Sequence, residues 1–283
     1  MKIGISAFAW TGEFELKHLP LLAEAKQMGF DGFEIPLFNP AQPPAAEIRR
    51  AMEQNGLECS VCAILPAGVN PISPEIAERS KALRHLNATI ETAAECSAKL
   101  IAGPLFAPIG YLPPHRPTSD EWNWAIEIFQ KVSAVAAAHG ITLAVEPVNR
   151  SETFFLRTAS DALRLCEAVA HPSLGVTIDT FHANIEEKSI EGAIRKLGPH
   201  LKHLHASESD RSLLGRGHVN FSAIVTALKA VQYEGFLMIE GFGFSEQEKK
   251  APGYLWAETH VTPKDIAIQG TDYLRALIGR SVS

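Results

Sequence analysis

Long hydrophobic runs are missing from this chain. No apolar stretch approaches the roughly 20 residues that a membrane span needs. The opening segment, MKIGISAFAWTGEF, lacks the apolar core of a signal peptide, because Gly4 and the polar Thr11-Gly12-Glu13 interrupt it. A soluble cytoplasmic protein is the expectation. Cysteine is scarce too: Cys59, Cys62, Cys96 and Cys166 are the only ones in 283 residues, which excludes a disulfide scaffold. Cys59 and Cys62 form a lone C-x-x-C without the second pair that structural zinc wants. They also sit in a β-like run, where residues three apart point to opposite faces, so small buried thiols are expected. Positive charge is not in surplus: 26 Lys and Arg stand against 32 Asp and Glu, a net charge of −6, which argues against a broad basic face for nucleic acid. No G-x-G-x-x-G follows the first β-like run, against a dinucleotide-binding doubly wound sheet.

What is present is material for a large core, with 46% hydrophobic and 20% charged residues. Short β-like runs rich in Val, Ile and Phe fall at 2–8, 32–36, 58–65, 99–106, 142–148, 175–181, 201–207 and 236–242. Amphipathic helical stretches separate them. HLPLLAEAKQMGF carries apolar residues at helical spacing before Gly29, and SDEWNWAIEIFQKVSAVAAAHG opens on a Ser119-Asp120 cap signal and closes on Gly140. Eight strand–helix units without a linker predict a single (β/α)8 TIM barrel over residues 1–283, at about 35 residues per unit. The loops after the fourth and eighth strands, about 107–117 and 243–261, look long and are candidate lids.

In such a barrel the chemistry sits at the C-terminal ends of the strands. Four consecutive strands carry an ionisable residue there: Glu146, Asp179, His205 and Glu240. Three carboxylates around one buried point are prohibitively costly without a cation. Three carboxylates and one imidazole suit Mn²⁺ or Mg²⁺ better than structural zinc. His203 shares a strand face with His205 but lies deeper, as a core or supporting histidine. His182 either reaches a substrate or is a solvated loop residue. Glu34, near the end of the second strand, reads as a supporting or capping residue rather than a ligand. Phe8, Trp10 and Phe106 either wall a pocket or pack in the core, and Trp256 either closes over the pocket or joins a subunit interface. The Gly215-Arg216-Gly217 and Gly241–Gly243 turns are weak candidates for cradling a phosphate.

The segments GFDGFEIP, VEPVNRSET, IDTFHANIEE, HLHASESDR and IEGF resemble, in order and spacing over nearly the whole chain, those of the ketose 3-epimerases. This is the D-tagatose and D-psicose (D-allulose) 3-epimerase family, within the xylose-isomerase-like sugar isomerase and epimerase barrels. The resemblance implies that Glu146, Asp179, His205 and Glu240 bind one divalent metal, Mn²⁺ first, with Mg²⁺ or Co²⁺ as substitutes. It implies that Glu152, His182 and Arg211 contact substrate oxygens at the C1–C3 end, and that Glu146 and Glu240 exchange a proton at C3 on opposite faces through a cis-enediolate. Pro147, Ser151 and the stretch SLLGRGHVNF depart from the usual pattern without removing a ligand or the Arg. The expected partner is a small sugar, with no nucleic acid or membrane, in a homodimer or homotetramer. An aldose–ketose isomerase of the hydroxypyruvate isomerase kind and an endonuclease IV-like barrel are the rival readings. A free sugar is preferred over a phosphorylated one.

Overall fold

The computed structural model describes residues 1–243 and 260–279. Eight parallel strands close into a barrel in chain order. They are β1 (Lys2–Ser6), β2 (Gly32–Pro36), β3 (Glu58–Cys62), β4 (Leu100–Gly103), β5 (Thr142–Val145), β6 (Leu174–Asp179), β7 (Leu201–Ala206) and β8 (Phe236–Ile239). Around them run α1 (Pro20–Gln27), α2 (Ala45–Asn55), α3 (Ile76–Glu95), α4 (Ser119–Ala138), α5 (Ala159–Val169), α6 (Thr180–Glu186), α7 (Ile190–Leu197), α8 (Phe221–Ala230) and α9 (Pro263–Gly279). The strands face packed side chains inside and helices outside, so they read as nearly continuous apolar runs. Pairing of Ile3 with Leu237 and Ile5 with Ile239 joins β1 to β8 and removes the sheet edges. This is the (β/α)8 barrel that the alternation predicts. Among the described residues, no helix is long and apolar enough to cross a membrane. All four cysteines are buried and unbridged.

The strands end earlier than their apolar runs. β3 stops at Cys62 rather than at residue 65, β4 at Gly103 rather than 106, and β8 at Ile239 rather than 242. The excess apolar residues lie beyond the hydrogen-bonded ladder, where they pack into the core or line the barrel mouth. A register shift in the β6–β7 pairing, between Val176 and Thr177, sets Asp179 directly beside His205. Gly103, at φ +124°, ends β4 so close to β3 that a Cβ would strike the Ala63 carbonyl oxygen. Its own carbonyl accepts the Glu146 N–H at 3.0 Å, which anchors the residue that follows β5.

Helix α4 starts from Thr118, one residue before the Ser-Asp pair suggested by sequence. Thr118 Oγ1 accepts the Glu121 N–H at 3.3 Å, and the Glu121 carboxylate accepts the Thr118 N–H at 2.7 Å. This reciprocal pair needs a carboxylate three residues after the cap, a position that Glu121 supplies. Thr118→Ala should therefore lower stability by about 1 kcal/mol, read as a shifted denaturation midpoint with unchanged slope.

Candidate active site

The candidate residues meet at the C-terminal mouth of the barrel. Glu146 follows β5 and Glu240 follows β8, Asp179 ends β6, and His205 is the penultimate residue of β7. All four are buried. His205 Nδ1 points to the centre, 3.6 Å from Glu146 Oε2 and 3.8 Å from Glu240 Oε2. It has no hydrogen-bond partner. Ligand atoms of Asp179, His205 and Glu240 lie within 4.8 Å of one another. A fully buried nitrogen without a partner, ringed by three carboxylates, fits a divalent cation: the site supplies oxygen donors, one imidazole and excess negative charge.

Arg211 supplies positive charge at the same point. Its Nη1 donates to Asp179 Oδ2 and Glu240 Oε2, each at 2.9 Å, and to Ser207 Oγ at 3.2 Å. The guanidinium stacks 4.0 Å from the Phe181 ring centroid. The backbone of Arg211 has φ +61°, and it is tied at both ends: its N–H donates to the Glu208 carbonyl and its own carbonyl accepts the Phe242 N–H, both at 3.0 Å.

The titratable groups divide by their surroundings. Burial pushes Glu240 up to about 8 against the pull of Arg211, and it raises Glu146 in spite of His205. Burial also acts on Asp179, but Arg211, His182 and His205 outweigh it and hold this carboxyl below its ordinary value. Desolvation disfavours the His205 cation, yet Glu34, Glu240 and Glu146 raise it well above the usual range. His182 is lowered to about 3, mainly by burial, and stays neutral. The Asn149 N–H donates to its Nδ1 at 3.2 Å, and Arg211 Nη2, itself a donor, faces its Nε2 at 3.1 Å. Glu152 accepts from Asn149 Nδ2 at 2.8 Å, and its carboxyl is raised by burial.

These groups share a cavity of about 310 Å³. Glu146, Glu152, His182, Arg211 and Glu240 line its polar side; Phe8, Phe38, Cys62, Phe181 and Phe242 are among its apolar walls. Asp179 and His205 lie behind this lining, at the floor. Of the aromatic candidates, Phe8 lines the cavity. Phe106 instead packs on Phe155 in the core and Trp10 stacks on Phe33. Trp256 and most of the loop after β8 lie outside the described residues. The loop after β4 is not a free lid: the Gly110 N–H donates to the Glu152 carbonyl at 2.8 Å, and Tyr111 and His115 pack edge-on against Phe154. It forms a fixed wall.

His203 sits deeper on β7 beside Glu34. Burial pushes the Glu34 carboxyl up, but His205 and His203 outweigh it and hold Glu34 well below the usual carboxylate range. Sequence reasoning missed Asn149, Ser207 and Glu208. Asn149 stands in the V-E-P-V-N-R run beside the assigned Glu146, a usable signal. Ser207 Oγ bonds both Glu240 and Arg211, which only the folded strand end reveals. Glu208 is fully buried and accepts the N–H groups of Ser209, Gly215 and Val219 at 2.8, 2.9 and 3.0 Å. The Gly215-Arg216-Gly217 turn is thus folded around an internal carboxylate, and it is not an open phosphate cradle.

A family model described as xylose isomerase-like TIM barrel matches residues 22–277. The L-ribulose 3-epimerase of Mesorhizobium japonicum is 33% identical, over 85% of this chain and 81% of its own length. The D-psicose 3-epimerase of Ruminiclostridium cellulolyticum is 32% identical, over 86% of this chain and 84% of its own. Among solved structures, D-psicose 3-epimerase with D-tagatose from Clostridium cellulolyticum H10 superposes with a TM-score of 0.86 at 28% identity, covering 98% of this chain and 99% of that one.

Proposed function

Because the chain belongs to the xylose isomerase-like TIM-barrel family, we propose that its barrel mouth epimerises a ketose at C3 with the help of one divalent metal. One observation carries this reading. Glu146 and Glu240 line a single small cavity from separate strands, both with carboxyls raised by burial, and both converge on the unpartnered Nδ1 of His205. The 3-epimerase relatives support the same reaction class.

Glu146, Asp179, His205 and Glu240 would hold the cation, with Mn²⁺ preferred over Mg²⁺ or Co²⁺. Bound there, a divalent metal supplies Lewis acidity to the oxygens next to the carbon that loses its proton. The remaining chemistry belongs to side chains. One glutamate takes the C3 proton and the other, protonated, returns one to the opposite face, through a cis-enediolate of the sugar. Glu146 and Glu240 exchange the roles of base and acid between the two epimers. Oε2 of Glu240 is held by Arg211 and Ser207, which leaves Oε1 to work on the substrate. His182, neutral, hydrogen-bonds O2. Arg211 and Glu152 bind the O1/O2 end and fix the sugar for proton transfer.

A free sugar suits the site better than a phosphorylated one. The Gly215 N–H is spent on Glu208 and the Phe242 N–H on Arg211, so both glycine turns have used donors that a phosphate would want. The net charge of −6 argues against a basic face for a nucleic-acid duplex, and so against the endonuclease-like alternative. The aldose–ketose isomerase alternative differs only in which carbon exchanges. The test is a panel of free and phosphorylated ketoses with Mn²⁺ in D₂O. Deuterium at C3 of an epimeric product supports the proposal, whereas an aldose product carrying deuterium at C2 overturns it.

Metal binding must also respond to pH. Without a cation, Glu240 and His205 hold protons at neutral pH, and a ligand has to release its proton first. Mn²⁺ affinity should therefore rise with pH through about 8, where Glu240 gives up its proton, and keep rising while His205 still holds one. Calorimetry at pH 7 in buffers of different ionisation enthalpy should show proton release on binding. Chelation should abolish turnover, and added Mn²⁺ should restore it.

A further inference from the structure

Glu34 lies on β2 beneath the pocket floor, and no step above uses it. It is fully buried, and its two oxygens face different partners. Oε2 meets His203 Nε2 at 3.0 Å and accepts from Ser60 Oγ at 3.2 Å, the serine being its register neighbour on β3. Oε1 lies 3.0 Å from His205 Nε2, an ion-pair contact, and neither of these two atoms has a hydrogen-bond partner elsewhere. The carboxylate thus spans the H-x-H pair of β7, whose rings stand edge to face with centroids 5.0 Å apart.

An imidazole binds a metal through one nitrogen, and the partner of its other nitrogen decides which one. Here both ring nitrogens face carboxylate oxygens. Nδ1 looks at Glu146 and Glu240 from 3.6 and 3.8 Å, and Nε2 looks at Glu34 from 3.0 Å. Without Glu34, the two nearer-mouth carboxylates would draw the ring proton onto Nδ1 and block it. We propose that Glu34 is a positioning residue for the metal site: its Oε1 holds the His205 ring proton on Nε2, so that the Nδ1 lone pair is the one offered to the cation. His203 and Ser60 act behind it, fixing Oε2 so that Oε1 cannot swing away. This accounts for two histidines on one face of β7, one turned to the cation and one holding the carboxylate that orients the first.

The inference rests on the metal-dependent reading above, and its test separates the two. Glu34→Gln keeps the shape and removes the charge. We expect Mn²⁺ binding, measured by calorimetry, to weaken about 10–100-fold, with kcat at saturating Mn²⁺ within about threefold of the unmodified protein. A folded variant with unchanged Mn²⁺ affinity overturns the positioning role and leaves the functional reading intact. A wild-type protein that binds no divalent metal overturns both. Should the variant fail to fold, the wild type decides alone. In Mg²⁺-loaded protein with ¹⁵N-labelled histidine, a His205 proton on Nε2, shifted far downfield by the carboxylate, is the expected signature. Its absence, with the resonance assigned through His205→Asn, overturns the proposal.

Discussion

Glu240→Gln should lower epimerisation turnover by about 10²–10⁴-fold, the range that a positioned acid or base contributes. The substitution preserves size but can neither give up nor take back a proton. It also weakens one metal ligand, so metal content has to be measured alongside turnover. A sharper readout separates the two effects. If Glu146 and Glu240 serve opposite faces of C3, each Gln variant loses one base and keeps the other. Glu240→Gln should still exchange the C3 hydrogen of one epimer with D₂O, through Glu146, without converting it. Glu146→Gln should do the same with the other epimer. Loss of metal would silence exchange from both epimers in both variants. Exchange from both epimers at wild-type rates in either variant would sink the two-base assignment.

Gly103→Ala should be the most damaging glycine-to-alanine change among the described residues. The residue sits at φ +124°, where an L side chain costs about 1–3 kcal/mol, and the added Cβ would strike the Ala63 carbonyl oxygen on the neighbouring segment. Backbone on both sides leaves little to yield, so the total loss should exceed about 3 kcal/mol, a large part of the roughly 5–15 kcal/mol that holds a domain folded. Gly110→Ala is the control: its φ of +82° carries the conformational cost, but nothing lies within 4 Å of the added atom. Urea denaturation of the two variants should give a much lower midpoint for the first. Surviving Gly103→Ala protein should also be a poor catalyst, because the Gly103 carbonyl accepts the Glu146 N–H. A midpoint equal to that of Gly110→Ala would show that β4 moves aside freely.

The barrel was legible because its strands are buried on both faces and so stand out as apolar runs between amphipathic helices. Their starts were read closely; GFEIP is β2 residue for residue. Their ends were not, since Ile64 and Phe242 remain apolar past the ladder to wall a cavity, a reason that hydropathy cannot tell from strand burial. Glu146, Asp179, His205 and Glu240 could be singled out because acidic and imidazole groups ending four adjacent apolar runs are conspicuous. Arg211 and Glu152 could not. They stand in loops, without periodicity, and Arg211 reaches the site through a left-handed backbone turn that no composition announces. They came only through resemblance to a family. Phe106 and Trp10 show the same limit: an aromatic just past a strand can turn inward or outward, and short turns decide which. The glycines at 215 and 217 suggested an anion correctly in kind, but the anion is the protein's own Glu208.

That internal carboxylate gives the pocket a tuning screw on its dry side. Glu208 folds the 209–219 loop, and the same loop threads Arg211 between the Glu208 carbonyl and the Phe242 N–H. The guanidinium and the Phe242 wall therefore travel as one piece, although they belong to the ends of different strands. Mutational drift around Glu208, out of reach of any sugar, would shift charge and wall together and alter substrate preference while every residue facing the substrate stayed the same.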